Sequence, residues 1–326
     1  MPTVNLLEAV RMALGRAMEE EERVLVLGED VGIDGGVFRA TDGLFKRFGA
    51  ERVRDTPIAE TVIAGVCVGL AAQGFRPVGE IQFMGFIYSA MDQLVNHASR
   101  LRNRTRGRLT CPMVLRAPYG GGIHAIEHHS ESMEAMFAHI PGLRVVIPSS
   151  PARAYGLLLA AIRDPDPVLF LEPKRIYRAI EEEIEDNGEA LPLDTCFVLR
   201  EGTDLSLITW GAMMIETLAA AETLAEQGIE CDVIDVATLK HADMPAITAS
   251  VEKTGRCVIV HEAPLTGGFG AEIAARLADE GLTHLRAPVK RVAGLDTVMP
   301  YPRLESHYMP SAARILEAAQ DVLAYS

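Results

Sequence analysis

Three stretches of this chain combine residue types and spacing that could do chemistry. The first is Asp55-Thr56-Pro57-Ile58-Ala59-Glu60, which sets a carboxylate in the first turn of an apolar segment, residues 61–73. Thr56 reads as the cap of a helix there and Pro57 as its first residue. The run Val62 to Leu70 is apolar on nearly all sides and predicts a buried helix. A Glu at the mouth of such a helix meets two opposed effects: desolvation disfavours its anion, and the helix dipole favours it. Glu60 is then either a helix-start residue with a satisfied hydrogen bond or a reacting group. Position alone favours the first, since acids are common in first turns. The second stretch is Gly28-Glu29-Asp30, directly after an apolar run. Glu29 there is equally a relay acid or a turn residue bonding nearby backbone amides. The third is Tyr119-Gly120-Gly121-Gly122-Ile123-His124, leading into Glu127-His128-His129-Ser130. Glycines let backbone approach a ligand closely, and histidines move protons near neutral pH. His124 and His128 also have the i, i+4 spacing of metal ligands, but a glycine loop holds such a pair poorly and no separate acid motif supports it.

The elements that must position these residues alternate. Through residue 172, helical patterns at residues 6–20, 61–73, 89–102, 134–139 and 152–162 separate apolar, β-rich runs at 24–27, 78–81, 113–116, 144–147 and 168–171. Such alternation predicts a parallel sheet with helices on both faces. From about 173 to 203 the pattern fails, and an acidic run, Glu181 to Asp186, reads as a solvated surface connection. A second α/β unit follows, with strands at 205–209, 231–236, 257–260 and 289–292 and helices at 215–227, 244–253, 271–280 and 312–323. The expected organisation is a domain over residues 1–175, a connecting segment over 176–203 and a smaller α/β domain over 204–326.

Composition removes several function classes. A net charge of −14 argues against a nucleic-acid surface, and no apolar run nears the 18 residues or so needed to span a membrane. Nor does the N-terminus read as a signal peptide. The five cysteines are far apart with no C-x-x-C pair, so neither zinc nor a disulfide framework is indicated; Cys67, Cys231 and Cys257 lie in apolar runs and read as core in a reducing compartment. There is no phosphate loop, no dinucleotide fingerprint and no G-x-S-x-G elbow.

Taken in order, Val24 to Gly32, Gly35 to Thr41, Asp55 to Glu60, Gly74 to Phe83, Glu127 to Ser132, Ile162 to Val168 and Val260 to Ala263 resemble the beta subunit of the thiamine-diphosphate-dependent decarboxylase of 2-oxo acid dehydrogenase complexes. The resemblance covers essentially the whole chain and is nearest to the pyruvate type. It implies a two-domain transketolase-like α/β fold and a cytoplasmic enzyme. Glu60 would bond the aminopyrimidine ring of the cofactor and relay the proton that activates its thiazolium. Glu29 would be a second acid nearby, and Phe86, which otherwise reads as core, would pack on that ring. His129, the histidine just before a serine, would serve acyl transfer to lipoyl groups. His128 reads as a solvated neighbour. Ala161, Asp164 and Asp166 fall where the family holds potassium, against the plain reading of a Pro-bounded turn.

The Gly-Asp-Gly with a following Asn that holds magnesium and diphosphate in thiamine enzymes is missing from the sequence. The resemblance assigns that half to an alpha subunit, in a heterotetramer of two alpha and two beta chains that serves a lipoylated dihydrolipoyl acyltransferase core. One stretch departs from the family pattern: Asp235-Val236-Ala237-Thr238-Leu239-Lys240-His241 carries Ala237 for an Arg and His241 for a Pro. The rival readings are a branched-chain 2-oxo acid or acetoin dehydrogenase beta subunit and, from another class, a non-catalytic scaffold. Glu60 and His129, both present, argue against the scaffold.

Overall fold

The computed structural model describes residues 1–325 as two compact units. The first unit takes residues 1–119 and 136–193, and the second takes 120–135 and everything from 194 onward. By compactness the glycine- and histidine-bearing stretch therefore goes with the second unit.

The strands of the first unit are β1 (Thr3–Asn5), β2 (Val24–Gly28), β3 (Val53–Asp55), β4 (Arg76–Glu80), β5 (Val114–Tyr119), β6 (Arg144–Val146), β7 (Val168–Pro173) and β8 (Glu181–Glu183). Six form a parallel sheet in the order β6-β7-β5-β4-β2-β3. Every residue of β2, β5 and β7 is buried, which is why these strands read as apolar runs rather than alternating ones, broken only by Arg116 in β5 and Glu172 in β7. Helix α1 (Leu6–Glu20) starts on a capping box, with Asn5 accepting from the Glu8 amide at 3.1 Å and Glu8 from the Asn5 amide at 2.9 Å. It packs along α6 (Pro151–Arg163), which starts with a Ser150 cap and Pro151 at its first position. The short helices α2 (Leu44–Phe48), α4 (Leu101–Arg104) and α5 (Glu134–Ala138), with α3 (Glu60–Ala72), complete the chain to this point.

Three expectations are corrected here. The helix expected over 89–102 is broken into 3-10 turns at Met84–Ala90 and Ala98–Arg100 around a π turn at Gln93–His97. Ser99 bonds back to the Val95 carbonyl at 2.9 Å, a local bond that competes with the regular ladder. The acidic run is not simply solvated. β8 pairs antiparallel with β1, Glu182 accepts from the Ala152 amide at 2.7 Å at the start of α6, and Asp186 accepts from Arg16 at 2.9 Å and Tyr155 at 2.7 Å. Finally, α3 is not buried all round. Ile63, Ala64, Cys67 and Ala71 are covered, while Val62 is 50% exposed, Val66 43% and the preceding Ile58 85%.

In the second unit, β9 (Phe197–Arg200), β10 (Leu205–Thr209), β11 (Cys231–Asp235), β13 (Cys257–Pro264) and β14 (Lys290–Gly294) form a sheet in the order β14-β13-β10-β11-β9; β12 is the short strand Thr238–Lys240. Only β9 runs antiparallel. Helices α7 (Met214–Ala225), α8 (Met244–Thr254), α9 (Phe269–Glu280), α10 (Pro302–Tyr308) and α11 (Ala312–Leu323) accompany it. All five cysteines are buried and free. Among the described residues, no helix is long and apolar enough to cross a membrane.

Candidate active site

The first unit gathers its chemistry at the carboxyl ends of three neighbouring strands, where an open parallel sheet offers its crevice. Glu29 follows β2, Glu60 follows β3 across a short turn, and Phe83 and Phe86 follow β4. The turn before Glu60 is not the expected cap. Helix α3 starts at Glu60 itself, its cap residue Ala59 has no capping side chain, and the Thr56 hydroxyl donates to the Pro57 carbonyl. The Ala59 amide instead meets the Glu29 carboxylate. Asp55 serves the same architecture, accepting from the Gly32 amide at 2.6 Å and so tying the loop after β2 to the end of β3.

Glu29 is 3% exposed, and its Oε1 is buried with no hydrogen-bond partner. Burial, and then the neighbouring charge of Glu60, push its carboxyl above the usual range, with the Ala59 amide pulling the other way. Glu60 is half-exposed, and its Oε2 accepts from the Ser89 hydroxyl at 3.3 Å. Phe86 is half-exposed beside Phe83, ring centroids 5.7 Å apart, and Phe83 leads on to Phe38 and Tyr177. One buried acid with an orphan oxygen, one open acid and an aromatic face suit a flat, nitrogen-bearing ring. The residues present thus fit the pyrimidine half of thiamine diphosphate.

Beneath this crevice lies a buried network that the sequence did not reveal. Arg116 of β5 makes a two-pronged bond to Glu172 of β7, at 2.6 and 2.7 Å, and also binds Glu80 of β4; the Tyr177 hydroxyl donates to Glu172 at 2.7 Å. Burial alone would lower the Arg116 pKa, but the two carboxylates outweigh it and keep the guanidinium charged. Paired this way the buried charges are satisfied, and three adjacent strand ends are held in register.

In the second unit, His129 ends a short 3-10 turn, Glu127–His129, and is half-buried. His128 is more open and lies 3.9 Å from Glu131. His124 is exposed, at a φ of +60°. Among the described residues, no group of three His, Cys, Asp or Glu side chains is arranged to hold a metal. The loop is backed by acids that sequence reasoning missed. Ser132 donates to Glu262 at 2.7 Å. Glu134, wholly buried, accepts from the indole of Trp210 at 3.1 Å, and burial pushes its carboxyl up to about 8, so it carries a proton at neutral pH. His261 stacks on Trp210 with centroids 5.4 Å apart and donates through Nδ1 to the Ala263 carbonyl; burial holds it down at about 4 and hence neutral. Trp210, the lone tryptophan, and Val260-His261-Glu262-Ala263 were the available signals, but neither spacing nor composition ties them to Glu134.

At the Pro-bounded turn both carboxylates are engaged: Asp164 accepts from Arg144 at 3.0 Å and Asp166 from Arg102 at 2.7 Å, while the Asp164 carbonyl accepts from Arg76 at 3.1 Å. A cation at Ala161, Asp164 and Asp166 would rest on main-chain carbonyls rather than on these side chains.

Two α/β units on largely parallel sheets, which match the two transketolase domains, place the chain in the transketolase class. Residues 3–179 match the transketolase pyrimidine-binding domain and residues 194–315 the transketolase C-terminal domain. A solved structure titled as an inactive β4 tetramer of a split-gene transketolase is similar with a TM-score of 0.82 and 25% identity over 99% of each chain. The pyruvate dehydrogenase E1 component beta subunit of Bacillus subtilis is 47% identical over the full length of both chains. That of Acholeplasma laidlawii is 47% identical over 97% of this chain and 96% of its own, and that of Staphylococcus aureus (strain Mu50) 43% identical over the full length of both. The chain belongs to the family of pyruvate dehydrogenase E1 component beta subunits.

Proposed function

We propose that this chain is the beta subunit of a pyruvate dehydrogenase that decarboxylates pyruvate with thiamine diphosphate and passes the acyl group to lipoyl groups on a dihydrolipoyl acyltransferase. The observation that carries the reading is the acid pair at the strand ends: Glu29, buried with an orphan oxygen, against open Glu60 at the start of α3. When bound, thiamine diphosphate supplies a nucleophilic thiazolium carbon and an electron sink for decarboxylation. Glu60 bonds the pyrimidine nitrogen and holds or releases a proton there, help typically worth about 10² to 10⁴ in rate. Glu29 keeps a second carboxyl beside it, one that burial and the neighbouring Glu60 push toward the protonated form. Phe86 supplies a flat apolar face for the ring. His129 holds a proton for the lipoyl sulfur that develops negative charge as the disulfide opens.

The chain offers no set of side chains for magnesium among its described residues, in keeping with an alpha subunit that holds the metal and the diphosphate. The exposed apolar face of α3, at Ile58, Val62 and Val66, supports a covering subunit in an assembly of two alpha and two beta chains. A structural potassium at Ala161, Asp164 and Asp166 belongs to the same proposal through main-chain oxygens only.

The test is to copurify the chain with its alpha subunit and compare kcat/KM for pyruvate and 3-methyl-2-oxobutanoate. Pyruvate is expected to be favoured by about 10- to 100-fold, the range that small differences in an apolar side chain provide. Preference for the branched acid would transfer the chain to that rival class, and turnover of neither acid would support the scaffold reading.

A further inference from the structure

The stretch from Gly120 to Ser132 has an unusual backbone, with φ of +88° at Gly120, +81° at Gly122 and +60° at His124. A left-handed residue on either side of Ile123 turns neighbouring amides toward one point, a concavity that binds anions. The anion is internal. Glu305 of α10 accepts from the Gly122 amide through Oε1 and from the His124 amide through Oε2, the latter at 3.1 Å. It is 4% exposed, and among the described residues its only ion-pair neighbour is the open ring of His124, 3.8 Å away. A buried carboxylate is costly unless its oxygens are satisfied, so both amide bonds matter to it. Gly121, between Gly120 and this concavity, is close-packed: a Cβ would come within 2.3 Å of the Met299 terminal methyl, which would have to move aside. The far end of the stretch is fixed by the bond from Ser132 to buried Glu262. His129 lies between the two anchors.

We propose that Glu305 is a positioning residue that clamps the glycine-rich loop and thereby sets His129 for acyl transfer. The proposal rests on the role given above to His129. Its chemistry is electrostatic: two charge-assisted amide bonds, made from a helix more than 180 residues further along the chain. Misplacing a reacting group by about 1 Å can cost about 10²-fold in rate.

The experiment uses the assembled enzyme carrying Glu305→Ala, Glu305→Gln or His129→Ala. Amide hydrogen exchange of a peptide covering residues 120–126, read by mass spectrometry, reports the clamp. Decarboxylation with an artificial electron acceptor and transfer to a lipoylated domain report the two half-reactions. Glu305→Ala is expected to speed exchange across 122–124 and to lower transfer about 10- to 100-fold more than decarboxylation. Glu305→Gln keeps one acceptor oxygen and should fall between it and the parent; it also carries the test should the alanine variant not assemble. Unchanged exchange would overturn the clamp, and equal losses in both half-reactions would overturn the positioning role in favour of general destabilisation. If His129→Ala itself lowers both rates equally while Glu305→Ala keeps its selective loss, the role of His129 fails and the clamp stands, acting through another group of the loop.

Discussion

Glu60 and Glu29 are one residue type in two unlike surroundings. Glu29 is sealed beneath the loop after β2 and is pushed toward the protonated form, first by burial and then by its neighbour. Glu60 stays half-open at the start of α3, where it accepts from the Ser89 hydroxyl. Pairs of carboxyls held in unequal environments are how acid and base roles are separated at one pH. Glu60→Gln keeps the shape and the helix start but cannot relay a proton. We expect assembly to survive and activation of the cofactor to fall by about 10² to 10⁴ or more. Exchange of the thiazolium proton for deuterium, followed by quenched NMR, measures this step directly; exchange at the parental rate would remove Glu60 from the relay. Its place at the mouth of an apolar run drew attention to Glu60 in the sequence, but only the family resemblance favoured a reacting group over a helix-start residue there. Glu134 was not legible, because its raised pKa arises from burial and then from the charge of Glu262, against the opposing bond from Trp210, and local sequence displays none of these.

At the scale of elements, α3 carries the clearest lesson. Its composition predicts burial on every side, yet only the face with Ile63, Ala64 and Cys67 meets its own unit. An apolar helix face left open by the fold is the kind of surface that the proposed alpha subunit would cover. Val62→Asp should therefore leave the isolated chain nearly as stable as before, within about 0.5 kcal/mol as for most surface changes. Association with the alpha subunit should weaken about tenfold or more, as when a charge enters the apolar core of an interface. Thermal unfolding of the chain alone and sedimentation of the mixture separate the two effects. Unimpaired assembly would mean that this face is not the one covered. The connection after β7 carries the opposite lesson: a run that looks solvated supplies β8 and, through Glu182 and Asp186, anchors for α6 and α1.

At the scale of the whole molecule, the chain holds acids and an aromatic face but no described cluster for a metal and no phosphate-cradling motif. The isolated chain should then bind thiamine diphosphate and magnesium weakly, and tight stoichiometric binding should appear in calorimetry only once the alpha subunit is added. Tight magnesium-dependent binding by the chain alone would reject the division of the site between subunits. The sequence by itself determined the alternation of strands and helices and the two α/β units, and through the family resemblance it proposed the candidate residues Glu60, Glu29, Phe86 and His129. It could do so because periodicity, glycine and histidine spacing are local quantities, and because the ordered motifs resemble one family along the whole chain. Tertiary structure decided which face of α3 is covered, that the helix starts at Glu60 with no capping side chain rather than on Thr56, and that Arg116 binds Glu80 and Glu172 across three strands. It also brought Glu305 to the amides of Gly122 and His124. Those pairings join residues tens to nearly two hundred positions apart, and only the register of the strands and the packing of the helices bring them within the few ångströms at which hydrogen bonds and charges act.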